Sequence, residues 1–138
     1  MASDMFFKIG DIKGESGDAA HKEEIEVMSF SYGATQTGTS SAGSGHGSGK
    51  VSLSDLHFVK KVDKSSPVLF VKCCTGEHIK DAQLVVRKAG GTQLEYLKIK
   101  LTDVTVSSVR PGGSAHGDDI PMEEVSLNFT KIDITYQQ

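Results

Sequence analysis

Apolar and polar residues alternate with a period of two along most of the chain. This period places successive side chains on opposite faces of an extended strand, so that one face packs and the other meets solvent. The pattern therefore predicts a mainly β protein. The clearest alternating apolar sets are Val51 with Leu53, Leu56 with Phe58, Leu84 with Val86, Leu97 with Ile99 and Leu101, Val104 with Val106, Val125 with Leu127 and Phe129, and Ile132 with Ile134 and Tyr136.

The apolar set changes parity at several places in this pattern. A strand that moves its buried side chains to the other face does so through a bulge or a bend, and such strands are typical of small closed or nearly closed barrels. We therefore expect a small β-barrel made of two packed antiparallel sheets. The shifts fall between Val27 and Met28, Leu53 and Leu56, Leu101 and Val104, and Phe129 and Ile132.

The segment SPVLFVKCCTG at 66–76 does not alternate. A Ser N-cap at 66, Pro at the first helical position and Gly just past the end predict a short α-helix over about residues 66–75. Between its ends only Lys72 is clearly polar, so one barrel face cannot cover all the apolar side chains. We expect the helix to meet a neighbouring subunit through Leu69, Phe70 and Cys73.

A long Gly- and Ser-rich segment, TQTGTSSAGSGHGSGK, occupies residues 35–50 between two predicted strands. Loops of this length without structure of their own are usually functional or disordered. We interpret the segment as a docking loop. Its candidate contact residues are Gly38, Thr39, Ser40, Ser41, Gly43, Gly45, His46 and Gly47.

The bulk properties favour one domain spanning residues 1–138. The net charge is −3 and the lysines are interleaved with Asp and Glu, which argues against nucleic acid as a partner. Asp4 and Lys8 interrupt the first ten residues, and no apolar run reaches spanning length. We therefore expect neither a signal peptide nor membrane insertion. The adjacent Cys73 and Cys74 should stay reduced, because a bond between them would be strained.

The residue types that usually carry chemistry form no catalytic or metal-binding motif. The five histidines lack paired ligand spacing and lie beside loop residues or on polar strand faces. The acidic groups 23–26 and 123–124 alternate with apolar residues, as solvated faces do. We expect no enzymatic activity, no cofactor and no metal. The alternatives are a small β-barrel hydrolytic enzyme and a monomeric ligand-binding module.

Sequence strings spread over the whole chain resemble one family. They are IGDIKGES followed by His21 and EEIEV, DKSSPVLF (63–70), CTGEHI (74–79), VRKAGG (86–91), EYLKIKLTDVTVSSV (95–109) and EEVSLNF (123–129). In these strings the chain resembles Hcp, the hemolysin-coregulated protein of type VI secretion. The resemblance implies a structural role, in which six identical subunits close into a ring and rings stack into a hollow tube.

The same resemblance implies the partners and the location of the protein. A contractile sheath would surround the tube, a spike complex would sit at its tip, and effector proteins would be held and stabilised in the lumen. The protein would be cytoplasmic and then secreted through the type VI machinery without a cleaved signal peptide. Some relatives carry an enzymatic C-terminal extension, and we expect none here because the chain stops two residues after Tyr136.

Ser29 and Ser31 are the candidate lumen residues. They alternate with Met28, Phe30 and Tyr32, so one face of this strand is small and hydroxylated. Such a face is either an ordinary solvent face or a pore wall, and small polar groups would keep a pore wide and hydrophilic. We expect both serines to contact effector proteins.

Overall fold

The computed structural model describes residues 2–38, 50–116 and 120–138, and within them the chain forms nine strands and one helix. The mainly β architecture expected from the alternation is confirmed. In chain order the elements are β1 (Ser3–Ile9), β2 (Ile25–Glu26), β3 (Ser29–Ser31), β4 (Ala34–Gln36), β5 (Val51–Leu53), β6 (Leu56–Lys61), α1 (Ser65–Thr75), β7 (Ile79–Lys88), β8 (Glu95–Gly112) and β9 (Met122–Tyr136).

Seven strands form one antiparallel sheet in the order β2-β1-β7-β8-β9-β6-β3, and β4 pairs with β5 in a small second sheet. The edge strands β2 and β3 follow one another in the chain. Val27 N–H donates to Met5 O (3.0 Å), whereas Met28 N–H donates to Val59 O (2.8 Å). Residues 25–31 therefore bridge both edges of the sheet and curl it into a barrel-like shape. The predicted parity shift between Val27 and Met28 is where this bridging segment changes partner.

Two of the other parity shifts coincide in space, because β8 and β9 change face at the same level of their ladder. Leu101 and Val104 are both buried, and Asp103 between them adopts a positive φ of 56°. The Thr130 hydroxyl, at the shift in β9, donates to the Thr102 carbonyl (3.1 Å). A local backbone irregularity thus turns both strands together, as a bulge does.

The core fills the inside of the curled sheet, and helix α1 covers it with Leu69 and, in part, with Cys73. Phe7 and Phe58 pack with ring centroids 4.9 Å apart. Burial of each large apolar side chain contributes about 1.5–3 kcal/mol. The fully buried or nearly buried members of this cluster are Phe7, Ile9, Ile12, Ile25, Val27, Leu56, Phe58, Leu69, Ile79, Ala82, Leu84, Val86, Ile99, Leu101, Val104, Val106, Val125 and Leu127.

Helix α1 ends as predicted but begins differently. Gly76 lies in the left-handed region at φ 69° and its N–H donates to the Lys72 carbonyl (3.0 Å), a geometry that glycine adopts at low cost. The helix starts at Ser65, so the prediction of Ser66 as N-cap is wrong. The Asp63 carboxylate accepts the Ser65 N–H instead (2.8 Å), and the Ser66 hydroxyl turns inward.

Candidate functional site

The two candidate lumen serines lie on an exposed, polar face of the curled sheet. Ser29 and Ser31 are both exposed in β3, and Ser31 is paired with His57 of β6. His57 is paired with Ser126 of β9, and Ser126 with Ser108 of β8. Directly paired residues of an antiparallel sheet point to the same side. A row of small or polar side chains therefore crosses four neighbouring strands.

The groups of this face hydrogen-bond to one another. His57 Nδ1 lies 3.1 Å from Ser126 Oγ, and His57 Nε2 lies 3.3 Å from Glu124 Oε1. Next to this row, the hydroxyl of Ser107, which precedes Ser108 in β8, donates to the carboxylate of Asp55, which precedes β6 (2.6 Å). Exposed pairs of this kind contribute little to stability. They give the face hydroxyl, imidazole and carboxylate groups that can hydrogen-bond to another polar surface. Val59, paired with Ser29, is an apolar member of the same face.

The helix residues predicted to meet a neighbouring subunit have different environments. Leu69 is 0% exposed within the chain's own core and offers no exposed surface for a neighbouring subunit. Cys73 is half-buried against the same core. Phe70 and Val71 are 50% and 57% exposed. Val68 of the same helix is also exposed, at 41%. The apolar side chains of α1 thus divide into buried Leu69 and an exposed set, whose two most exposed members, Phe70 and Val71, we call the outward pair.

A second apolar surface lies between the small sheet and the end of β9, and we call it the arm groove. It encloses a cavity of about 120 Å³. Sequence reasoning missed this surface, although the alternation continuing to Tyr136 signalled more apolar side chains than the barrel interior covers. The groove is lined by Tyr32, Gly33, Ala34, Leu53, Phe129, Ile132 and Ile134.

The predicted docking loop starts at the end of the small sheet. Thr37 N–H donates to the Lys50 carbonyl (3.3 Å), which extends the pairing of β4 with β5 by one step, and Gly38 is exposed. The remaining predicted contact residues lie outside the described residues. They are Thr39, Ser40, Ser41, Gly43, Gly45, His46 and Gly47.

Within residues 2–38, 50–116 and 120–138, no group of three or more His, Cys, Asp and Glu side chains is placed to hold a metal ion. In the same ranges, no helix has the length and apolar character that crossing a bilayer requires.

A family model for the type VI secretion system effector Hcp matches residues 6–136. The chain belongs to the Hcp family. The Hcp1 protein of Pseudomonas aeruginosa is 51% identical to it over 138 residues, which cover 99% of this chain and 85% of that protein. As an Hcp protein, the chain is a tube protein of type VI secretion and not an enzyme.

Two solved structures support the same assignment. Hcp1 from Salmonella typhimurium is 41% identical, covers 100% of this chain and 88% of its own, and superposes with a TM-score of 0.83. A type VI secretion system effector from Yersinia pestis is 42% identical, covers 96% of this chain and 89% of its own, and superposes with a TM-score of 0.81. The hydrolytic alternative has no support in these likenesses.

A buried ion-pair cluster in this Hcp chain corrects one prediction from the sequence. Glu123, assigned with Glu124 to a solvated face, is only 1% exposed. Lys60 is fully buried beside it, and Lys60 Nζ donates to Asp63 Oδ1 (3.0 Å), Ser66 Oγ (3.1 Å) and Glu123 Oε1. These four side chains, the Lys60 cluster, tie the start of α1 to β6 and β9.

The loop between β1 and β2 carries a second set of buried polar contacts. Arg87 is buried and donates to both carboxylate oxygens of Asp18, with Nη1 2.9 Å from Oδ2. This hydrogen bond holds the pKa of Asp18 below its ordinary value and raises the pKa of Arg87. His21 lies in this loop, as the sequence indicated, but its ring is buried and contacts two glutamates, Glu24 and Glu95, which the sequence did not predict.

Proposed function

We propose that six copies of this Hcp chain close head-to-tail into a ring and that rings stack into a hollow tube. A contractile sheath surrounds this tube, a spike complex tips it, and contraction expels it from the cell. The number six comes from the family likeness. The observation that carries ring closure is the presence of two separate apolar surfaces on one subunit, the outward pair of α1 and the arm groove. A head-to-tail interface joins two such different surfaces.

The exposed apolar area is large enough to matter for assembly. Half of the Phe70 side chain meets solvent, which corresponds to about 100 Å² and about 2.5 kcal/mol when it is covered. Val71 and the lining residues of the arm groove add to this. Exposed patches of contiguous apolar residues mark sites of protein–protein contact.

Ring formation is tested by placing a charged residue in each of the two apolar surfaces. Phe70→Asp and Leu53→Asp should each convert rings to monomers, because an unpaired carboxylate would be buried in the contact. Thr75→Asp is the matched control, since Thr75 is a polar, exposed residue of the same helix. Size-exclusion chromatography with light scattering gives the mass. Fully assembled rings from both Phe70→Asp and Leu53→Asp would overturn this interface.

The sheath is the other partner that the outward pair of α1 fits. If Phe70→Asp leaves the ring mass unchanged while sheath-dependent export of the protein fails, the helix faces the sheath and the ring contact lies elsewhere. Electron microscopy of sheaths with and without an inner tube separates these two outcomes.

We also propose that the face carrying Ser29 and Ser31 lines the lumen and contacts effectors. Its support is the polar row of Ser31, His57, Ser126 and Ser108, which is exposed at Ser31 and half-buried at the other three residues and offers hydrogen bonds to a bound protein. Ser31→Gln should preserve the fold and the ring mass and reduce co-purification of an effector that the wild-type ring retains. Ser114→Gln, in an exposed loop, is the control. Unchanged retention with both Ser29→Gln and Ser31→Gln would assign the lumen to another face.

The Gly- and Ser-rich loop is proposed to dock one ring on the next. Its length and its Gly- and Ser-rich composition between two strands support this proposal. Deletion of Thr39 to Ser48 should leave single rings intact and impair stacking and secretion. Loss of the single ring on deletion would place the loop at the subunit interface instead.

A further inference from the structure

The N-terminal loop, defined as residues 10–24 between β1 and β2, is tied to three other elements. Glu15 Oε2 accepts the backbone N–H of the residue before helix α1 (2.7 Å). Asp18 pairs with the buried arginine of β7 described above, and His21 contacts Glu95 of β8. The loop therefore links the helix start to the strand face on the far side of the sheet.

His21 has the most constrained environment of these three residues. Its ring is 7% exposed and stacks on Phe6, with centroids 4.5 Å apart and planes 8° from parallel. Nδ1 lies 3.0 Å from Glu24 Oε1, and Nε2 lies 2.7 Å from Glu95 Oε2. Since Glu24 belongs to the loop and Glu95 to β8, the ring is a bridge between them.

Both contacts require a proton on the ring side. An ionised carboxylate only accepts hydrogen bonds, while a neutral imidazole donates from one nitrogen and presents a lone pair from the other. A neutral His21 would therefore hold a lone pair against a carboxylate oxygen. Only the doubly protonated ring satisfies Glu24 and Glu95 together.

We propose that His21 is a proton-operated latch, which holds the N-terminal loop to β8 when both ring nitrogens are protonated and releases it when one proton is lost. Because the latched form carries the additional proton, a rise in pH favours the released form. Release would also loosen the first turn of α1, through the contact that Glu15 makes there.

The surroundings of the ring supply access for water and charges of both signs. A cavity of about 150 Å³ beside His21, Glu24 and Glu95 gives water access to the bridge. Lys98 Nζ lies 3.7 Å from Glu95 Oε1, whereas the other oxygen of Glu95 holds His21. The charged groups around the ring come from four elements and are Lys8 of β1, Arg87 of β7 across Phe6, Glu95 and Lys98 of β8, and Asp18 and Glu24 of the loop.

Hydrogen exchange of the full chain, followed by mass spectrometry, tests the latch. After correction for the intrinsic exchange rate, protection in residues 10–24 should fall about tenfold or more between about pH 6 and about pH 8.5. A peptide from the core of β8 is the internal reference for global stability. His21→Gln has no imidazole ring to gain or lose a proton. In this variant the hydrogen-exchange protection of residues 10–24 should be low and the same at every pH. Exchange in the wild type that follows the β8 reference at every pH would overturn the proposal.

His78→Gln is the matched control, because His78 also contacts a carboxylate, Asp103 (2.8 Å), but at an exposed position. It should keep the wild-type pH profile. If His21→Gln does not fold, nitrogen NMR of wild-type chain labelled in histidine decides the matter. Protons on both nitrogens of His21 at about pH 6 support the latch, and a single neutral tautomer there overturns it.

Discussion

Removal of Glu123 from the Lys60 cluster should be among the most damaging single changes in the chain. Lys60 is fully buried, and Glu123 is almost so. Loss of one partner of a buried ion pair costs about 3–5 kcal/mol, because the other charge is left in a low-dielectric interior. Asp63 still accepts from the ammonium at 3.0 Å, so we expect Glu123→Ala to lie near the lower end, at about 3 kcal/mol.

The double variant Lys60→Met/Glu123→Leu should be more stable than either of its component single variants, Lys60→Met and Glu123→Leu, each of which leaves one charge of the pair without its partner. Apolar residues of similar volume that replace a whole buried ion pair are often neutral or stabilising. We therefore expect the free energy of unfolding of the double variant to lie within about 1 kcal/mol of the wild-type value or above it. Glu124→Gln, one residue along on the exposed face, should stay within about 0.5 kcal/mol.

Urea unfolding followed by circular dichroism measures these differences. With a slope of about 1–3 kcal/mol per molar urea, Glu123→Ala should lower the midpoint by about 1–3 M. All variants are compared at one subunit concentration, since assembly contributes to apparent stability. A cost below about 1 kcal/mol for Glu123→Ala, or a double variant less stable than both single variants, would show that the cluster is not the buried ion pair we describe.

Three further predictions concern single side chains. Leu69→Ala should cost about 2–5 kcal/mol in urea unfolding, as expected of a core residue, and a cost near zero would contradict its burial. Because the pKa of Asp18 is lowered, its pairing stabilises the fold above the ordinary value of about 3.9 and is lost as pH falls through the folded value; Asp18→Asn should therefore show a flatter acid-unfolding profile below about pH 4, and a profile like the wild type's would refute this. A Cβ on Gly14 would lie 2.5 Å from the Glu24 carbonyl oxygen, whereas one on Gly17 would meet open space, so Gly14→Ala should lower hydrogen-exchange protection of the loop and Gly17→Ala should not.

The sequence pattern predicted the fold where local chemistry decides the structure. Alternation located the strands, and the shift between Leu101 and Val104 marked the level at which Asp103 turns β8. Gly76 marked the helix end because its backbone conformation is rare for other residues. These signals are carried by neighbouring residues, so they can be recognised without knowledge of the tertiary structure.

The environment of individual polar residues could not be read in the same way. Glu123 and Glu124 are adjacent and chemically identical, and the strand period places Glu123 on the buried face of Val125 and Leu127. What the sequence does not show is that Lys60, on another strand, supplies the charge that pairs with Glu123 there. His21 likewise gains its second carboxylate from Glu95, a residue distant in sequence. The arm groove depends on where the small sheet lies against Ile134. Each case rests on long-range packing, which a one-dimensional pattern does not encode.

The bridging segment has a consequence for how such a subunit can polymerise without forming fibrils. An open sheet edge is a template on which any extended chain can add by backbone hydrogen bonds. Here residues 25–31 take up positions at both edges of the seven-stranded sheet, with the N–H groups of Val27 and Met28 donated inward to Met5 and Val59. Neighbouring copies are then selected by the shape and chemistry of side chains. Contacts selected in this way are limited to complementary surfaces, whereas an open edge would accept any extended strand.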